Sequence, residues 1–219
     1  MKKTVAASIL IFAACLQPAA AESCEEKFAR LEIDGNGEGA PVRITITQEG
    51  PDGKVTKNYH YSDANGDGMS EMIDPADMPW SLFIGNDMYM SNDKGKSWSH
   101  MNSWDKEKSN ADRKAAMHQD MAAATGITCG TEALDGTEYD TVEGSYISSM
   151  LQGGKIWSKF WVSQDDGMIF RKDAISYSAG GEYKSSQIIE PCSHFVLPKP
   201  WRFLKRPTAL PPQTRRSPG

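Results

Sequence analysis

Apolar and polar residues alternate with a period of two along most of the chain, a pattern typical of strands with one buried face. Short runs rich in Gly, Asp, Asn and Pro separate these segments at hairpin spacing. The predicted strands are Val42–Thr47, Lys54–Tyr61, Met69–Ile73, Trp80–Ile84, Met88–Met90, Trp98–Met101, Ile127–Glu132, Thr137–Met150, Lys155–Ser163, Met168–Ser178 and Glu182–Glu190. Strands joined one after another by short turns predict an antiparallel sheet.

Two segments depart from this period and predict helices. Glu25–Leu31 is short and amphipathic, and it lies ahead of the first strand. Ser109–Asp112 resembles a capping box, and we expect it to start a helix over Ala111–Thr125 that Gly126 closes. Helices in these places can cover one face of the antiparallel sheet.

Two hairpin segments have a recognisable pattern: one runs from Asp87 to Trp98, and the other places Trp161-Val162, Gly167 and Arg171 in the spacing W-[IV]-x-x-x-x-G-x-x-x-R. Both segments resemble hairpins of the LolA/LolB-like family of periplasmic lipoprotein carriers. The resemblance spans about residues 24–195. It implies a mainly β fold: a curved antiparallel sheet forming an open half-barrel, with an N-terminal helix and one central covering helix. In that family the concave face holds acyl chains. No segment here matches the family's carrier-specific arginine.

The N-terminus has the three parts of a secretory signal. Met1-Lys2-Lys3 is basic, Val5–Leu16 is apolar but too short to span a membrane, and small residues precede Glu22. We therefore expect a signal peptide over residues 1–21 and a periplasmic protein. Phe12–Cys15 is similar to a lipobox, so a membrane-tethered lipoprotein acylated at Cys15 is the alternative.

Charge divides the chain into three parts. Residues 1–21 carry a net charge of +2 and residues 196–219 carry +6. Because the whole chain carries −5, residues 22–195 carry −13. We expect one β-rich domain over residues 22–195, which its acidity should keep away from nucleic acid. Residues 196–219 hold six of the twelve prolines, which predicts a disordered or loosely docked basic tail. We expect the protein to be a monomer.

Three cysteines follow the predicted signal peptide, which suits one disulfide and one free thiol in an oxidising compartment. Cys24 adjoins the first helix, which needs fastening to the body, and Cys129 lies at a strand in mid-chain. We therefore favour Cys24–Cys129, with Cys129–Cys192 as the alternative.

Two turn motifs suggest chemistry beyond packing. Asp63, Asn65, Asp67, Glu71 and Asp74 fit the spacing of a calcium loop, but helical flanks are missing, so an acidic hairpin turn is the competing interpretation and calcium the weaker one. Ser91–Trp98 matches the Asp-box pattern S-x-D-x-G-x-x-W, and Ser163–Phe170 repeats it with Phe in place of Trp. Two copies cannot supply the blades of a propeller, so we interpret both as structural hairpins.

Apart from the calcium-loop candidate, the sequence shows no nucleophile, metal or cofactor signature, so we expect a protein that is not an enzyme and carries no cofactor other than that calcium. The first hypothesis is a carrier that binds a lipid or other amphipathic ligand on the concave face, in envelope lipid or lipoprotein trafficking. Its predicted lining is Ile44, Ile46, Met88, Met90, Met117, Met121, Ile156, Phe160 and Val162. The alternative is an envelope interaction domain with a filled core, a protein partner and no small-molecule ligand.

Overall fold

A computed structural model of the protein describes residues 22–37, 41–193 and 195–198. Within these ranges the chain forms one open antiparallel sheet and two helices, α1 (Cys24–Asp34) and α2 (Lys106–Met121). The strands are β1 (Val42–Glu49), β2 (Val55–Ser62), β3 (Gly68–Asp74), β4 (Trp80–Ile84), β5 (Asp87–Ser91), β6 (Ser99–Ser103), β7 (Thr125–Leu134), β8 (Thr137–Ser148), β9 (Gly154–Ser163), β10 (Ile169–Ser178) and β11 (Gly181–Pro191). Neither of these two helices is long and apolar enough to cross a membrane.

The sheet consists of two meanders that meet in its middle, the first formed by β1 to β6 and the second by β7 to β11. Its strand order is β6-β5-β4-β3-β2-β1-β11-β10-β9-β8-β7, and β1 pairs with β11 from Val42↔Pro191 to Glu49↔Lys184. The sheet is curved and does not close, because β6 and β7 remain at its two edges. The predicted fold class, an open half-barrel of sequential hairpins with an N-terminal and a central helix, is confirmed.

Helix α1 is fastened to the second meander along its whole length. Ser23 and Glu26 form a reciprocal capping box at its start. The predicted disulfide between Cys24 and Cys129 is confirmed, with an S–S distance of 2.02 Å, and Cys192 is a free thiol. Phe28 lies directly on the sheet, where a Cβ at Gly144 would come within 3.1 Å of its ring. A larger residue at this position would have to displace the ring by a few tenths of an ångström.

Helix α2 lies earlier in the chain than predicted. It begins at Lys106, where the side chain of Asp105 accepts a hydrogen bond from the backbone N–H of Lys108, and it ends at Met121. The predicted start at Ser109–Asp112 and the predicted end at Gly126 are therefore wrong. Thr125 already pairs with Ser145 in the sheet, and this strand pairing takes the last residues of the predicted helix.

The first meander carries an apolar cluster on the face of the sheet that is turned away from the helices, and we call it the second apolar cluster. Its buried members are Met69, Leu82 and Trp98, the last of which is fully buried beside Trp80. Phe195 stacks on Tyr61 with ring centroids 4.4 Å apart, and Leu197 also packs against the cluster. Phe195 and Leu197, which follow β11 in the chain, thus lie on this face. The predicted signal peptide, Cys15 and residues 199–219 lie outside the described residues.

Candidate functional site

Cross-strand pairs identify the strand residues that share the side of the sheet covered by the helices. Residues directly opposite each other on neighbouring strands point to the same side. Phe160 pairs with Val142 and with Lys172, and this row continues through Gln187 to Ile46. Phe160 and Val142 pack with side chains of α1 and α2. Ile46 therefore points to the same side, which we call the helix-bearing face.

The helix-bearing face of β8, β9 and β10 is covered by side chains from both helices. Phe28 of α1 meets Phe160 of β9 edge to face, with ring centroids 6.1 Å apart. The cluster comprises Phe28, Leu31, Ile33, Met117, Met121, Val142, Tyr146, Phe160, Val162 and Ile169, none of them more than 8% exposed. We call this region the filled half.

The same face continues across β1 to β5 without an equivalent cluster of buried residues. The helices pack on β7 and β8. The apolar side chains on the helix-bearing face of this region are only half-buried; they are Ile44, Ile46, Met72, Phe83, Met88 and Met90. We call this region the open half. Half-buried apolar side chains in a row form a surface that an apolar ligand can cover.

A cavity of about 370 Å³ lies where the two halves meet, beside the C-terminal end of α1. Its apolar walls include Leu31, Ile44, Phe160 and Ile189. A neighbouring cavity of about 490 Å³ shares Asn36, Val42, Ile169 and Ile189 with it. The side chain of Asn36 binds the backbone of Ile169 in both directions. Each volume lies within the range of about 300–1,000 Å³ that is usual for ligand pockets.

Charged groups lie in the wall of the 370 Å³ cavity. Lys172 donates to Glu32 at 2.8 Å, and its ammonium lies 4.8 Å from the centre of the Phe160 ring. The Glu32 side chain is only 2% exposed, and a carboxylate so deeply buried needs a cation beside it. Arg113 of α2 donates to the carbonyl oxygen of Ile33 at 3.3 Å. The wall also includes Asp34, which pairs with Lys114 at 3.0 Å, so it combines apolar surface with two cations and two carboxylates.

Two further polar groups on this face remain uncharged at neutral pH. His60 lines the cavity, and its Nδ1 lies 2.9 Å from the hydroxyl of Ser70. Burial lowers the pKa of His60, because a charged imidazolium loses its hydration there. Burial and the neighbouring carboxylates Glu32 and Asp120 raise the pKa of the Tyr146 hydroxyl well above its ordinary value. This face therefore presents a neutral His in the cavity wall and a neutral Tyr nearby, together with the ion pairs Glu32–Lys172 and Asp34–Lys114.

All the strand residues of the predicted lining lie on the helix-bearing face, but in two different settings. Ile44, Ile46, Met88 and Met90 lie in the open half. The others belong to the filled half, where Ile156 packs at the margin; they are Met117, Met121, Phe160, Val162 and Ile156. Of the nine, Ile44 and Phe160 line the 370 Å³ cavity. Contact of these residues with a ligand stays a prediction.

No motif in the sequence predicted the polar groups of the cavity wall. Glu32 lies four residues after Phe28, on the buried side of a short amphipathic helix. A carboxylate at such a position needs a cation from elsewhere in the fold, so the position of Glu32 in the sequence indicates a buried ion pair. The cation is Lys172, whose sequence separation from Glu32 only the tertiary structure bridges.

The calcium-loop residues do not come together at one point. Asp63 accepts hydrogen bonds from the backbone N–H groups of Asn65 and Asp67, as in an Asx turn. Asp67 already binds the ammonium of Lys106 at 2.8 Å. Glu71 contacts Tyr61 on the face opposite the helices, and Asp74 lies at the far end of β3. The described residues contain no group of three or more His, Cys, Asp or Glu arranged for a metal. Calcium binding stays a prediction.

The first Asp-box is a packed hairpin turn between β5 and β6. Asp93 accepts hydrogen bonds from Ser91 and from Ser97, and these bonds lower its pKa to about 2. Gly95 adopts a φ of +80° under the ring of Trp80, and Trp98 is fully buried. The turn therefore contributes Trp98 to the second apolar cluster and packs against Trp80 at its margin.

Comparison with known proteins gives likeness of fold alone. No protein-family model matches the chain, and no curated protein matches it. The chain is similar to the crystal structure of a LolA superfamily protein from Nitrosomonas europaea, at 15% identity and a TM-score of 0.33, over 83% of this chain and 96% of that one. An uncharacterized conserved protein from Thermus thermophilus gives 11% identity and a TM-score of 0.45, over 83% of this chain and 98% of that one.

A third similar structure is a domain described as an outer membrane lipoprotein-sorting protein from Vibrio parahaemolyticus. It gives 8% identity and a TM-score of 0.34, over 80% of this chain and 95% of that one. With identities this low and TM-scores below 0.5, none of these structures carries an argument about the function of this chain.

Proposed function

We propose that the protein is an exported, non-enzymatic carrier that binds a lipid or another amphipathic ligand on the helix-bearing face. The observation that carries the proposal is the contrast along that face. Helix side chains cover the filled half, and the open half leaves Ile44, Ile46, Met88 and Met90 half-buried. An apolar ligand would cover these side chains as helix residues cover the filled half.

The cavity between the halves supports an amphipathic ligand over a purely apolar one. Its wall joins Ile44, Phe160 and Ile189 to the cations Lys172 and Arg113. Arg113 makes no ion pair with any described residue, and its guanidinium has donors beyond the one that binds Ile33. An acyl chain would lie on the apolar wall while an anionic or polar head group approaches the guanidinium.

Export is supported by the basic and apolar start of the chain and by the disulfide. A disulfide that closes a separation of 105 residues is stable in an oxidising compartment such as the periplasm. We place the carrier there, as a monomer that takes part in envelope lipid or lipoprotein trafficking and works without a cofactor.

Probe binding tests the carrier function directly. We expect a hydrophobic fluorescent probe to bind the purified protein saturably, a fatty acid to displace it, and native mass spectrometry to detect bound lipid. Ile44→Gln should weaken probe binding about tenfold, because it places an amide on the apolar wall. The matched control is Thr45→Gln, the next residue of β1, whose side chain points to the opposite face.

Two results would overturn the carrier function. One is the lack of any saturable probe binding or extractable lipid, which is the behaviour of an interaction domain with a filled core. The other is equal loss of binding in Ile44→Gln and Thr45→Gln, which would place the ligand elsewhere.

A further inference from the structure

The exposed apolar side chains gather at one end of the sheet. Successive turns of a meander alternate between its two ends, so the β1–β2, β3–β4, β5–β6, β8–β9 and β10–β11 turns share one end. Ten large apolar side chains are exposed in the part of the chain that the structure describes. Seven lie in or beside these turns: Val55, Met78, Ile147, Met150, Leu151, Tyr177 and Tyr183. Scattered surface residues would not concentrate in this way.

The densest part of this end is formed by the β8–β9 and β10–β11 turns. Ile147, Met150, Leu151 and Tyr177 are between 42% and 55% exposed, and we call these four residues the apolar tip. A groove of about 460 Å³ separates the two turns. Backbone and side chain of Ser149 both bind the buried carboxylate of Asp120 in α2, at 3.0 and 3.1 Å. The turn that presents Met150 and Leu151 is thereby held in place.

The exposed charge on the strand segments of the apolar tip is positive. Lys155 is exposed and lies directly between Ile147 and Tyr177 across three strands. Residues 144–164 contain no Asp or Glu, and residues 174–181 contain no charge. Glu182, opposite Tyr177, pairs with Lys184 at 3.3 Å, and the carboxylate of Asp120 is buried beneath the turn.

The opposite end of the sheet differs in charge and in apolar surface. Among the described residues its turns carry five carboxylates, no Lys or Arg and none of the exposed large apolar side chains; the five are Asp63, Asp67, Asp135, Asp165 and Asp166. At the apolar end the turn carboxylates Asp52, Asp77 and Asp93 are matched in number by Lys54, Lys94 and Lys96. The long axis of the molecule therefore runs from an apolar end whose turns carry no net charge to an acidic end.

From this polarity we infer that the apolar tip docks on the surface of a lipid bilayer that contains anionic phospholipid. Met150 and Leu151 enter the boundary between head groups and acyl chains, where exposed apolar side chains lose their contact with water. Tyr177 lies at head-group depth, as amphipathic rings do. The stem of Lys155 runs along the apolar neighbours while its ammonium meets lipid phosphate. The acidic end points away, because an anionic surface repels it.

Vesicle flotation with the purified protein tests this docking. We expect flotation with vesicles of phosphatidylcholine plus phosphatidylglycerol, and the Met150→Ser/Leu151→Ser double variant should partition about tenfold less. The matched control is Met101→Ser on the edge strand β6, whose side chain is 54% exposed, close to the 55% of Met150. Lys155→Glu should weaken flotation on the mixed vesicles and leave the weaker partition into phosphatidylcholine unchanged.

The outcomes separate this docking from its alternatives. No flotation of the native protein, or equal loss in Met101→Ser, would overturn it. Sedimentation that shows self-association abolished by the double variant, without vesicle binding, would assign the tip to a second copy of the chain. Should the double variant lower the thermal midpoint, Tyr177→Ser provides the second test of flotation. Docking does not depend on the ligand of the helix-bearing face, so failed probe binding would leave it standing.

Discussion

The filled half and the open half share one sheet and one face but are stabilised from opposite sides. In the filled half the apolar contacts come from α1 and α2 on the helix-bearing face. In the open half the buried side chains lie on the other face, where Met69, Leu82 and Trp98 pack with the chain after β11. Because this packing on the other face stabilises the strands, the helix-bearing face of β1 to β5 can remain uncovered.

This difference explains how an open sheet can keep an apolar surface available. A sheet normally needs one face buried for its stability. Here the Asp-box hairpin and Phe195 provide that burial behind β3 to β5. The helix-bearing face of the open half thus remains uncovered by the rest of the described chain.

The largest effect should follow removal of the Cys24–Cys129 disulfide, which links α1 to β7 beside the filled half. Cys24→Ser with Cys129→Ser opens a loop with a sequence separation of 105 residues. The chain-entropy model gives about 4–5 kcal/mol for a loop of this size. Chemical denaturation should show this loss, and Cys192→Ser, the matched control, should not. An unchanged free energy of unfolding would show that packing alone holds α1.

Truncation of large side chains should separate the two halves. Phe160 is fully buried in the filled half, so Phe160→Ala should cost about 3–5 kcal/mol. Met88 is half-buried in the open half, and Met88→Ala should cost clearly less, about 1 kcal/mol. The midpoints of denaturant unfolding measure both. Equal costs would contradict the division into a filled and an open half.

The support behind the open half should depend on residue 195 and not on the chain beyond 198. Phe195 is half-buried against Tyr61, so Phe195→Ala should cost about 1–2 kcal/mol. Deletion of residues 199–219 should change the thermal midpoint by only a degree or two at most, roughly the scale of an ordinary surface change. A strong loss on this deletion, kept at high salt, would extend the fold beyond the predicted boundary at 195.

The smallest effect should be a pH dependence that originates in the open half. Burial lowers the pKa of His60, so the unfolded chain takes up the proton first as the pH falls. Stability is then full above the unfolded value of about 6.5 and falls as the pH decreases from there toward the lowered folded pKa. His60→Gln should flatten this part of the curve. The matched control is His118→Gln on the exposed side of α2, which should leave the curve unchanged.

Much of the secondary structure could be predicted because it depends on local pattern. Turn residues such as Glu49–Gly53 and the alternation in Val42–Thr47 locate the strands to within a few residues. The pairing of Cys24 with Cys129 also followed, because α1 needs a fastening. The position of α2 could not be predicted, because Asp105 caps its start ahead of the predicted Ser109–Asp112 and because strand pairing at Thr125 excludes the last predicted residues from the helix.

The sequence by itself determined how many strands there are, where the turns lie and which residues of one strand share a side. Only the tertiary structure decided which side carries the helices, which half they fill, and that Glu32 meets Lys172 beside the cavity. The physical reason is that alternation with period two is the same for either face. Both sides of β2 carry ring side chains, with His60 on one side and Tyr59 and Tyr61 on the other. The choice between the sides depends on contacts between elements far apart in the chain.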